Sequence, residues 1–67
     1  MNELATLVRE EIEKSGYKFN FVATQCGVSR QSLYQTLNKK NFSESDANKI
    51  LAVLNKKIEA SYSIIDK

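Results

Sequence analysis

Residues Phe19 to Asn38 read FNFVATQCGVSRQSLYQTLN, and the rest of this chain arranges itself around what that run builds. Ala23 and Gly27 stand four apart, and Val22, Cys26, Val28, Leu33 and Leu37 fall at the spacings that seal two short helices against each other. Alanine lets the second helix cross close over the first, and glycine supplies the positive φ of a tight turn between them. Leu33 and Leu37 form the buried stripe of the second helix, so Arg30, Gln31, Tyr34, Gln35 and Asn38 must point outward.

The run resembles the helix-turn-helix of the phage repressor and Cro family, also called the lambda-repressor-like or XRE family. The match is close over residues 19–38 and loose over the flanking helices. The resemblance implies a mainly α, four-helix domain that binds double-stranded DNA, with the second helix of the pair in the major groove and its N-terminal residues against base edges. Carried over by position, Arg30, Gln31, Tyr34 and Gln35 would read bases. Their chemistry suits that role, because a guanidinium bonds both O6 and N7 of guanine, a glutamine bonds N6 and N7 of adenine, and a tyrosine can meet a thymine methyl or a phosphate, although Tyr34 could instead lean back on the scaffold. Many relatives begin the first helix of the pair with a polar cap and a glutamine that holds a phosphate. Here Lys18 and Phe19 stand in those places, so Lys18 or Asn20 would supply the contact. Ser29, Ser32, Asn38, Lys39 and Lys40 complete the expected set of phosphate contacts.

Charge is segregated along the chain. Residues 14–57 carry eight basic side chains against two acidic ones, a net +6, whereas the first thirteen residues carry −3 and the last ten −1. A locally basic face on a nearly balanced domain both attracts a duplex and orients on it.

Outside the run, Asn2 to Ser15 has the spacing of an amphipathic helix, capped by Asn2, ended by Gly16, and buried through Leu4, Val8 and Ile12. Glu10, Glu11 and Glu13 are expected to face water, and Tyr17 and Phe19 to fill the core. Helices are expected from about Asn20 to Cys26 and from Arg30 to Asn38, the latter capped by Ser29. Phe42 is a plug into the core. Ser43 to Asp46 reads as a serine cap with an acid three residues later, opening a helix through Ala47, Ile50, Leu51 and Leu54 to about Asn55.

The tail then alternates, with Ile58, Ala60, Tyr62 and Ile64 on one side and Glu59, Ser61 and Ser63 on the other. That is a strand pattern, and no other stretch reads as a strand to pair with it. The expected solution is the same strand of a second copy, giving a homodimer through residues 57–65 with Ile58, Ala60, Tyr62 and Ile64 at the interface. Leu54, Ile58, Tyr62 and Ile65 are also helix-spaced, so a continuation of the preceding helix stays open; the serines and β-branched residues favour the strand.

Sixty-seven residues make one domain with one small core. No apolar run is long enough to cross a bilayer and the first dozen residues do not read as a signal peptide, so a cytoplasmic protein is expected. One cysteine and no histidine leave little from which to build a metal site or a catalytic relay. Cys26 reads as a core residue, and the serines as caps, turns and strand faces. No enzyme, no cofactor and no small-molecule ligand is expected. The function expected is that of a small transcriptional regulator, of phage or prophage type, binding a palindromic operator as a dimer. The alternative is a protein-interaction module such as the antitoxin of a toxin–antitoxin pair, suggested by the acidic first helix and the apolar tail.

Overall fold

In a computed structural model, which describes residues 2–59 and 62–66, the chain is mainly helical with a small antiparallel sheet at its C-terminal end. The order is α1 (Glu3–Ser15), α2 (Phe19–Gln25), α3 (Arg30–Leu37), α4 (Glu44–Leu51), a 3-10 turn (Ala52–Leu54), β1 (Lys56–Glu59) and β2 (Ser63–Asp66).

Each of three helices starts where a side chain satisfies its free amides. Asn2 Oδ1 accepts from the Ala5 N–H at 2.8 Å, and its Nδ2 donates to the Phe42 carbonyl at 3.2 Å, tying the start of α1 to the connection before α4. Ser29 Oγ accepts from the Ser32 N–H at 3.1 Å. Ser43 and Asp46 form a reciprocal box: Ser43 Oγ accepts from the Asp46 N–H at 3.2 Å, and Asp46 Oδ2 accepts from the Ser43 N–H at 3.1 Å. By contrast, α2 begins at Lys18 without a side-chain cap.

Between α2 and α3 the backbone turns at Gly27, with φ +78°. The Gly27 N–H donates to the Thr24 carbonyl and the Val28 N–H to the Ala23 carbonyl, each at 3.0 Å, which is the Schellman pattern of a helix end. Val22 and Ala23 are buried on one side of this turn, and Leu33 and Leu37 on the other. They meet Leu4, Val8 and Ile12 of α1, Ala47, Ile50 and Leu51 of α4, and the plug Phe42 in a single core.

Several sequence expectations are corrected. Val28 is 42% exposed and Tyr17 46% exposed, so neither fills the core; Tyr17 stacks instead on Phe21, itself an exposed ring. Phe19 is half-buried against the core, as is Cys26. Glu11 does not simply face water: its carboxylate is half-buried and lies 3.6 Å from Lys56 Nζ. The helical run from Ser43 does end at Asn55, with φ +58°, but its last turn, Ala52–Leu54, is a 3-10 segment and not a continuation of α4.

That left-handed residue removes the helical reading of the tail, and the single long strand is also corrected. Lys56 pairs with Asp66, Lys57 with Ile65, Ile58 with Ile64 and Glu59 with Ser63, so the tail doubles back on itself as a hairpin. Its backbone groups find partners inside the same molecule, which one isolated strand could not offer. Ile58 is buried and Ile64 packs beside it against the core, so these two expected interface residues face inward. Tyr62 sits at the tip with φ +57° and is 42% exposed, whereas Ala60 lies outside the described residues. Asn48 Oδ1 accepts from the Ile58 N–H at 2.9 Å and Lys56 Nζ lies 3.6 Å from Glu11, which fasten the hairpin to α4 and α1, while Lys56 Nζ also reaches Asp66 at 2.9 Å across the two strands.

A β-carbon at Gly27 would meet nothing within 4 Å, so a side chain there is opposed by backbone conformation alone. Gly27→Ala is therefore expected to cost about 1–2 kcal/mol, and Gly27→Asn less, since asparagine tolerates the left-handed region. Urea denaturation of the three proteins checks the ranking; equal stability of the alanine variant and the parent would contradict it.

Candidate nucleic-acid interface

Because Leu33 and Leu37 are 2% and 0% exposed, α3 is seated on the core by one face and presents the opposite face to solvent. On that outer face Arg30, Gln31, Tyr34, Gln35 and Asn38 line one shallow depression. Four of the five are exposed, and Tyr34 is half-buried. All four expected base readers, with Asn38, are thus brought onto one continuous surface.

Tyr34 is held from below. Its ring stacks on Phe19, with centroids 4.3 Å apart and planes 24° from parallel, and Phe19 rests on the core. The Arg30 guanidinium carbon lies 5.6 Å from the Tyr34 centroid, within range of a cation–π contact, which restrains a long side chain at the start of α3. Phe19, expected only as a core filler, therefore shapes the exposed face. Arg9 was not expected here at all: its guanidinium carbon stands 5.9 Å from the same ring, reaching α3 from the acidic α1. No local periodicity carries such a signal, because the two residues are brought together only by the packing of α1 on α3.

The expected phosphate-contacting residues divide. Lys18, Asn20, Asn38 and Lys40 are exposed. Ser29 and Ser32 flank the N-terminus of α3 and are bonded to each other, Ser29 Oγ donating to Ser32 Oγ at 3.1 Å. Lys39 is turned away toward α4, where its Nζ lies 3.3 Å from Asp46 Oδ2. Lys40 takes part in no ion pair among the described residues.

Burial raises the Cys26 thiol above its ordinary range, so it stays protonated at neutral pH. Among the described residues there is no group of acidic, cysteine or histidine side chains arranged to hold a metal, and no helix long and apolar enough to cross a membrane. No protein-family model, curated protein or solved structure matches the chain.

The Ser43 backbone N–H, assisted by the Lys39 ammonium, holds the Asp46 carboxyl below the usual carboxylate range. A carboxyl whose pKa is depressed on folding stabilises the fold above its unfolded value of about 3.9, and this contribution is lost as pH falls through the folded value. Asp46→Asn is therefore expected to destabilise the protein near neutral pH and to have little effect once pH has fallen below the depressed folded value. Denaturation across this range checks it; a stability loss that is independent of pH would contradict the assignment.

Proposed function

We propose that the chain is a sequence-specific double-stranded-DNA-binding regulator, with α2 and α3 as a helix-turn-helix of the repressor and Cro type and α3 entering the major groove. The observation that carries this reading is the outer face of α3. One guanidinium, two glutamine amides and an asparagine share, around the Tyr34 ring, a surface that the buried leucines hold rigidly outward. Their length and donor–acceptor character match base edges, and Lys18, Asn20 and Lys40 lie exposed in the same part of the chain for backbone contacts. The proposed site is wide and shallow, which suits a groove more than a small ligand.

The proposal extends to a homodimer. The sheet has only two strands among the described residues, so β2 has no strand on its second side, and Ile65 beside that edge is 40% exposed. Antiparallel pairing of β2 with its copy about a two-fold axis would cover that edge and present two α3 helices to a palindromic operator, in place of the single-strand pairing read from sequence. Covering a promoter in this way would regulate it without catalysis.

A second reading, a protein-interaction module such as an antitoxin, draws support from a groove between α1 and β2 lined by Leu7, Glu10, Glu11, Glu13, Lys14 and Ile64. The two readings separate by mutation. Replacing Arg30 and Gln31 with alanine is expected to cost about 1–3 kcal/mol of discrimination for each bidentate base pairing removed. Gel-shift titrations on fragments of the protein's own upstream DNA measure this. The DNA reading fails if the parent shows no retardation at low salt, or if the double variant binds as selectively as the parent.

A further inference from the structure

Tyr34 brackets two positive charges that come from different helices. Arg9 of α1 and Arg30 of α3 both place their guanidinium carbons within 6 Å of its ring centroid. The ring itself is backed by Phe19. Two cations within reach of one ring add positive charge around it, and the compensation visible for Arg9 is slight: its Nε lies 3.7 Å from Glu13 Oε1, an exposed pair of little strength. Its Nη groups donate no hydrogen bond among the described residues, and the side chain is 45% exposed. A guanidinium held by its stem end, with its forked end free and a second cation nearby, is prepared for an anion that accepts two parallel bonds. Next to a helix that lies in a DNA groove, that anion is a backbone phosphate.

We infer that Arg9 grips a DNA phosphate at the side of α3, and that Tyr34 is a positioning residue for Arg9 and Arg30 and not itself a base reader. The inference rests on the proposed docking of α3 in the major groove. It supplies, from α1, the backbone contact that Lys39 gives up by turning to Asp46. It also gives Phe19 a purpose beyond packing: the ring supports Tyr34, and Tyr34 steers the arginine that makes the contact.

The test uses the full chain and two labelled duplexes, one of mixed sequence and one drawn from the pool that the parent protein enriches, each titrated across a range of KCl. Arg9→Ala is expected to weaken both complexes alike, on the order of tenfold, and to lower the slope of log K against log[KCl] by about one. Arg9→Lys should recover the slope with part of the affinity. Tyr34→Phe keeps the ring and should leave slope and sequence preference unchanged, whereas Tyr34→Ala should reproduce the reduced slope. An unchanged slope in Arg9→Ala, with the parent binding normally, overturns the inference and leaves the DNA reading of α3 standing. Altered preference at one base pair in Tyr34→Phe overturns the positioning role. A parent that binds neither duplex overturns both the inference and the reading beneath it.

Discussion

The backbone angle at Gly27 sets the direction of α3, and most of what the surface can do depends on that direction. With φ at +78°, the chain closes the end of α2 through the Thr24 and Ala23 carbonyls and reverses in time for Ser29 to cap α3. Leu33 and Leu37 then fall onto the core beside Val22 and Ala23. Once those leucines are buried, helical geometry leaves Arg30, Gln31, Tyr34, Gln35 and Asn38 no other place than the outer face. The constraint lies in the backbone and not in crowding, since space is open where a β-carbon would stand.

How much of this was legible in the sequence depends on how local each cause is. The caps at Asn2, Ser29 and Ser43 act over three residues, and each is found where the residue types place it. The buried stripes of α1, α3 and α4 follow from periodicity in the same way. What escaped was decided by partners distant in the chain. Val28 and Tyr17 are large side chains left exposed once the helices have packed, and half-buried Glu11 meets Lys56 of the hairpin. Lys39 follows Asp46, and Arg9 meets Tyr34 across two helices. The candidate face of α3 was therefore readable, while its supports were not.

The tail shows a different limit. In one long strand Ile58 and Ile64 share a face, and in a hairpin that pairs them they share a face again, so alternation cannot tell the two apart. The usual clue is the turn chemistry, and the segment from Ala60 to Tyr62 contains no glycine, asparagine, aspartate or proline to announce one. Tyr62 adopts the left-handed region without that help. A lone two-stranded hairpin is marginal in water; Ile58 in the core, the Asn48 bond and the Lys56 pair with Glu11 hold this one to the helices, and the Lys56 pair with Asp66 ties its two strands together.

Selection of bound duplexes from a random-sequence pool by the full chain is the most direct measurement of whether α3 reads DNA. Recognition by two α3 helices related by a two-fold axis predicts enrichment of a palindromic sequence whose half-sites lie about one helical turn apart, on the order of 10 base pairs. A pool that remains random after repeated rounds at low salt would contradict it.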